Sequence, residues 1–81
     1  DKVLQVHSNY HIVWNNRGIA LMYLARFDEA SASYDKAIAL KSNYYPAWYS
    51  KACCYALQGN VELAITSLQA AIELNPEKCI Q

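Results

Sequence analysis

The side chains that do chemistry in enzymes are few in this 81-residue sequence, and their spacing assembles no reactive site. Histidine occurs only at His7 and His11, and we expect both to be solvated rather than to act as a base or a metal ligand. The seven Asp and Glu residues fall mainly at first helical turns and on exposed faces. Acid–base catalysis needs carboxylates that converge on a pocket, and this pattern offers no such pair. The sequence therefore predicts a protein that is not an enzyme and takes no cofactor.

The three cysteines, Cys53, Cys54 and Cys79, form no Cys-x-x-Cys pair and lie far from both histidines. Adjacent cysteines rarely bridge each other, because a disulfide requires Cβ atoms that face one another. An odd number without a framework spacing is typical of a reducing compartment. The pattern predicts free thiols, no metal site and a cytoplasmic location.

Composition and charge exclude two further classes of partner. Lys plus Arg and Asp plus Glu each number seven, so the formal net charge is zero, whereas a nucleic-acid surface needs an excess of cations. No apolar run approaches the roughly 18 residues of a membrane span. Hydrophobic residues make up 54%, with only two Gly and two Pro, which favours packed helices. We expect neither nucleic acid nor a membrane among the partners.

An internal repeat of 34 residues organises the sequence. Residues 1–14 align with residues 35–48, and six of the 14 aligned positions are identical. Each period carries two apolar stripes at helical spacing, over residues 12–24 and 27–40 and again over 46–58 and 61–74. Two helices per period, each pair stacked on the next, predict an all-α fold: an α-solenoid of antiparallel helix pairs.

Large and small side chains recur at fixed places in this period: Trp14, Gly18, Ala30, Ala37, Trp48, Ala52, Tyr55, Ala64, Ala71 and Pro76. Small residues let helices approach closely, and large ones fill the flanks. In these positions the sequence resembles the tetratricopeptide repeat (TPR) family, and the segment 26–30 looks like its bacterial members. The resemblance implies a superhelix with full repeats over 11–44 and 45–78. Residues 1–10 would end a preceding repeat, and residues 79–81 would start a truncated next one.

The resemblance also implies a function. In this family the first helix of each pair lines an inner groove, where extended peptides bind. By position the groove residues are Asn15, Asn16, Ile19, Met22, Tyr23, Tyr49, Ser50, Cys53 and Leu57. Amides can pair with a peptide backbone, and tyrosines supply apolar area with a polar tip. We therefore expect a non-enzymatic protein-interaction scaffold that presents a groove to a peptide or helix. The alternative is a self-assembly element whose chains stack end to end through exposed repeat faces.

Several of these residues also have a structural interpretation. The two groove asparagines can be solvated polar positions, and Ile19 and Met22 can pack against the next first helix. We expect Arg17 and Lys51 to lay their stems on aromatic rings while their charges reach water. Three tyrosines are expected in the loops between repeats: Tyr10, Tyr44 and Tyr45.

Overall fold

The structure is a computed structural model that describes the backbone of residues 10–80 and the side chains of residues 10–78. It contains the helices α1 (Tyr10–Tyr23), α2 (Phe27–Leu40), α3 (Tyr45–Leu57), α4 (Val61–Leu74) and α5 (Pro76–Ile80). Throughout the described range no strand occurs, so the predicted all-α class is confirmed. Residues 1–9, which include His7 and the expected end of a preceding repeat, lie outside the described residues.

The two helical hairpins turn in the same way. Ala25 (φ 61°) and Gly59 (φ 80°), 34 residues apart, each adopt the left-handed conformation after the first helix of a pair. The next amide then returns to the helix: Arg26 N donates to Leu21 O, and Asn60 N donates to Tyr55 O, both at 2.9 Å. Glycine takes this conformation at no steric cost, whereas alanine is strained there. The sequence therefore predicts the second turn, at Gly59, more clearly than the first, at Ala25.

Small residues allow the helices to pack closely, as the period predicts. α1 packs on α2, α3 packs on α4, and α3 also contacts both helices of the first hairpin. The core where the hairpins meet consists of Leu21, Ala30, Tyr34 and Cys54. The Cys54 thiol lies 3.7 Å from the Phe27 carbonyl oxygen, to which it donates. The two repeats thus share one core rather than folding as separate units.

Gly18 lies directly against the ring of Tyr34, which is fully buried. A Cβ atom at Gly18 would lie 2.7 Å from Tyr34 Cδ1 and 3.0 Å from Tyr34 Cζ, well inside van der Waals contact. One period later the same two positions hold Ala52 and Leu68. A larger residue on α1 in place of Gly18 would therefore require a smaller one on α2, and the second repeat has that combination.

Two expectations about the start of the hairpins were wrong. Tyr10 and Tyr45 are helical and lie outside the loops between repeats, whereas Tyr44 does lie in the loop between α2 and α3, as expected. His11 is buried, and its ring meets that of Tyr44 edge-on with centroids 4.7 Å apart. Both differences have one cause, because α1 and α3 begin one or two residues earlier than the apolar stripes indicate.

Candidate functional site

A groove of about 370 Å³ runs between the first helices of the two repeats, and α5 contributes one residue to its lining. We call it the α1–α3 groove. Its walls come from residues that face one another across the two helices, together with one cation from α5: Asn15, Ile19, Tyr45, Pro46, Tyr49, Ser50 and Lys78. The groove exists because α3 packs across α1 as well as α2, which leaves a channel between the two first helices.

The polar atom that distinguishes this groove is the side-chain oxygen of Asn15. Asn15 is 4% exposed, and its Oδ1 is buried without a hydrogen-bond partner. Asn15 shares a buried stripe of α1 with His11 and Gly18, so helix geometry holds the amide in the wall. A buried acceptor of this kind costs roughly 1–3 kcal/mol in desolvation unless it is paired. The wall of the groove thus contains an acceptor without a partner in the free chain.

The structure brings together four of the nine groove residues expected from the sequence, namely Asn15, Ile19, Tyr49 and Ser50. The other five lie elsewhere. Met22 is half-buried, packs against the core and accepts a hydrogen bond from the Tyr34 hydroxyl at 3.8 Å. Three of them are exposed and do not line the groove: Asn16, Tyr23 and Leu57.

The ninth residue, Cys53, lines a second depression of about 280 Å³ between α3 and α4, which we call the tail groove. Tyr49 reaches both grooves, and the remaining lining of the tail groove is apolar: Ala52, Ala56, Val61, Ala64, Ile65 and Leu68. Of the positions one period earlier, Phe27, Ala30 and Tyr34 pack in the core with Cys54 of α3. The tail groove is therefore the face of the second hairpin that corresponds to an occupied face of the first.

Three lining residues of the α1–α3 groove were missed by the sequence reasoning: Tyr45, Pro46 and Lys78. The first two open α3, and Pro46 marked that helix start in the sequence. Lys78 belongs to α5, a helix of five residues whose apolar pattern is too short to be recognised. Only the packing of α5 on α4 shows that this cation reaches the groove.

The described side chains hold no group of three or more His, Cys, Asp or Glu residues that can bind a metal ion. Cys53 and Cys54 are free thiols, and burial raises the pKa of the Cys54 thiol. A buried thiol with a raised pKa is a poor nucleophile. Over residues 10–80, no helix combines the length and the apolar character that crossing a bilayer demands.

Stacked helical hairpins with a groove across their first helices define a helical-repeat module of the kind that binds other proteins. A family model of the tetratricopeptide repeat matches residues 15–78. The chain belongs to the tetratricopeptide repeat family, which is generally a non-enzymatic protein-interaction module.

Two curated relatives are similar to most of the chain. A DnaJ homolog subfamily C member 7 homolog of Dictyostelium discoideum is 34% identical over 65 residues, which is 80% of this chain and 12% of the relative. A peroxisomal targeting signal receptor of Kluyveromyces lactis is 33% identical over 72 residues, 89% of this chain and 13% of the relative. The chain thus spans 12–13% of the length of these relatives. Both are eukaryotic, and the resemblance to bacterial repeats stays a prediction.

Proposed function

We propose that this chain is a non-enzymatic scaffold whose α1–α3 groove binds an extended segment of a partner protein. The unpartnered Oδ1 of Asn15 carries the proposal. A peptide in extended conformation exposes backbone N–H groups along its length, and one of them can donate to this oxygen. The cost of the buried acceptor is then recovered on binding, which explains why a stack of hairpins tolerates it.

The rest of the groove suggests the chemistry of the bound segment. Ser50 and the two groove tyrosines, Tyr45 and Tyr49, offer hydroxyl groups that can pair with peptide carbonyl oxygens. Ile19 and Pro46 supply apolar area between them. Lys78 in the lining favours a segment with a carboxylate beside it. We therefore propose a mixed polar and apolar peptide with an acidic end as the ligand.

One similar protein supports this choice. The relative from Kluyveromyces lactis is described as a receptor for a targeting signal. This chain shares 33% identity with it over 72 residues, so a peptide-binding role is the natural proposal.

The proposal is tested with peptides selected by display on the immobilised 81-residue chain. Their affinity is then measured by fluorescence polarisation for the wild type and for two neighbouring variants. Asn15→Ala removes the buried acceptor and should weaken binding about tenfold or more, since an unpaired buried group costs roughly 1–3 kcal/mol. Asn16→Ala is the matched control, because Asn16 is exposed and outside the groove, and should leave affinity unchanged.

Stability separates a binding role of Asn15 from a structural one. Because its Oδ1 pairs with nothing in the free chain, Asn15→Ala should leave the free energy of unfolding unchanged or raise it. Loss of affinity together with loss of stability would mean that Asn15 supports the fold, and the groove assignment would fail.

Self-association through the tail groove is the second candidate function. The observation that favours it is the exposed apolar rim of that groove, where Val61 and Ile65 are open to solvent. Sedimentation over a concentration series distinguishes the two functions. Oligomers that disappear with Ile65→Lys would support stacking, whereas a monomer at all concentrations would exclude it.

We further propose a cytoplasmic location, because Cys53 and Cys54 are free thiols.

A further inference from the structure

Tyr49 lines both the α1–α3 groove and the tail groove. Its neighbours on α3 divide between the two: Pro46 and Ser50 line the α1–α3 groove, whereas Ala52 and Cys53 line the tail groove. Residues three or four positions apart on a helix are neighbours on its surface, so the ring of Tyr49 stands between these two sets. It marks the boundary between a groove with polar lining and an apolar one.

The Tyr49 side chain is held in place by packing alone. It is 47% exposed, and among the residues that the structure describes its hydroxyl has no hydrogen-bond partner. Long side chains on a helix adopt χ1 near about 180° or about −60°, and these rotamers direct a ring to different sides of the helix. Exposed side chains exchange between rotamers within nanoseconds. The ring can therefore move across α3 without any change in the backbone.

A segment bound in the α1–α3 groove favours the rotamer on the α1 side. Tyr49 occupies the position in the second repeat that Asn15 occupies 34 residues earlier. The two first helices thus offer a hydroxyl donor and an unpartnered acceptor at equivalent places. An extended backbone carries both a carbonyl oxygen and an N–H in almost every residue. A ring that closes on the segment buries its apolar body and donates its hydroxyl to such a carbonyl.

Cys53 reports the position of this ring. Its thiol is free and half-buried, and it lines the tail groove four residues after Tyr49. Side chains lean toward the N-terminus of their helix, so the thiol leans over the turn that holds Tyr49. A ring that closes toward α1 uncovers the thiol. Ala56 lies about two turns beyond Tyr49, and the ring leans away from it, so that part of the tail groove keeps its surroundings.

We propose that Tyr49 is a lid of the α1–α3 groove, whose ring closes over a bound segment and thereby opens the tail groove at Cys53. The inference rests on the proposed binding of a peptide in the α1–α3 groove. It adds that the two grooves are coupled, because one ring cannot cover both at once. A segment that fills the first groove therefore makes Cys53 more accessible.

The rate at which iodoacetamide alkylates Cys53 tests the lid. The chain carries Cys79→Ser, and the probe is a display-selected peptide without cysteine whose affinity falls in Asn15→Ala. Because rotamer exchange is much faster than alkylation, the rate follows the fraction of chains in which the thiol is uncovered. We expect the rate, followed by mass spectrometry, to rise about fivefold when the peptide saturates the chain, a modest coupling between two sites. An unchanged or slower rate would overturn the proposal.

Variants of Tyr49 separate the ring from other causes. In Tyr49→Ala, Cys53 should react without peptide as fast as it does in the saturated wild type, and peptide should raise the rate no further. Tyr49→Phe keeps the ring, so the acceleration should remain. The matched control is Cys53→Ser with Asn16→Cys, a thiol at an exposed position outside the α1–α3 groove, whose rate should not respond to peptide. Acceleration that persists in Tyr49→Ala or appears in the control would overturn the lid.

Nuclear Overhauser effects provide a second readout in a chain that keeps Tyr49. The peptide should strengthen the effects between the Tyr49 ring and the methyl groups of Ile19, and it should weaken those between the ring and the Cys53 β-protons. Unchanged effects would overturn the lid even where Tyr49→Ala fails to fold. Failure of the proposed function looks different, because no selected peptide would then depend on Asn15, whereas a failed lid leaves that dependence intact.

Discussion

Replacing Gly18 by alanine tests most sharply how the two helices of a hairpin are matched. In an ordinary helix this change stabilises by about 1 kcal/mol, because glycine is the more flexible residue in the unfolded chain. Here the new Cβ would lie 2.7 Å from Tyr34 Cδ1, whereas ordinary carbon contacts are about 3.5–4.0 Å. The ring is fully buried.

The magnitude follows from two opposing terms. Overpacking a closed core costs typically 1–3 kcal/mol, and the gain in helix propensity offsets about 1 kcal/mol of that. We expect Gly18→Ala to lower the free energy of unfolding by about 1 kcal/mol. In a Tyr34→Leu background, which reproduces the Ala52 and Leu68 pair of the second repeat, the same change should instead raise it by up to about 1 kcal/mol.

Urea denaturation followed by circular dichroism at 222 nm measures all four proteins, and linear extrapolation gives their free energies of unfolding. The expected coupling between the two positions is about 2 kcal/mol, as the two preceding values imply. If Gly18→Ala stabilises the chain equally with Tyr34 and with Leu at position 34, the ring does not restrict this position. The account of compensated packing would then be wrong.

Four further outcomes are expected. Gly59→Ala should lower the free energy of unfolding by about 1 kcal/mol in urea denaturation, because alanine is strained at the positive φ of this position. The added Cβ itself has room, since nothing lies within 4 Å of it, and Gly59→Asn should be tolerated better. Asn60→Ala should also lower the free energy of unfolding by about 1 kcal/mol, since it removes the side-chain oxygen that accepts a hydrogen bond from Leu63 N at the start of α4. Burial raises the pKa of Tyr34, so the unfolded chain loses this proton near pH 10 while the folded chain keeps it. The stabilisation from this group should therefore be present below about pH 10 and be lost as the pH rises above it, and the loss should be smaller in Tyr34→Phe. In a Cys79→Ser chain, a thiol reagent should label Cys53 before the buried Cys54.

The period of large and small residues was sufficient to predict the four long helices, because each carries a buried stripe of its own. The bounds of α2 and α4 agree with the sequence pattern at both ends. The first helices begin earlier than predicted, since His11 and Tyr45 are not apolar in the usual sense and were left outside the stripes. Aromatic stacking on Tyr44 buries His11, and such a contact between two hairpins is not visible along one helix.

The grooves were harder to predict than the helices, because each groove is lined by side chains from more than one helix. Position along the family repeat predicted Asn15, Asn16, Tyr49 and Leu57 alike as groove residues, whereas only Asn15 and Tyr49 line the α1–α3 groove. It also did not reveal that Ala64, expected at a closed helix contact, is half-buried beside the tail groove. Ala30 is the enclosed counterpart, since α3 covers it. The burial of these two equivalent alanines therefore differs because a helix of the next hairpin packs over Ala30, whereas Ala64 borders the open tail groove.

The most direct test of the proposed function is an NMR chemical-shift map of the ¹⁵N-labelled chain during titration with a display-selected peptide. The account predicts the largest changes around the α1–α3 groove, at the amides of Ile19 and Ser50 and at the side-chain amide of Asn15. Residues of the tail groove, such as Ala56 and Val61, should change little. Shifts confined to the tail groove, with Asn15 unaffected, would contradict it.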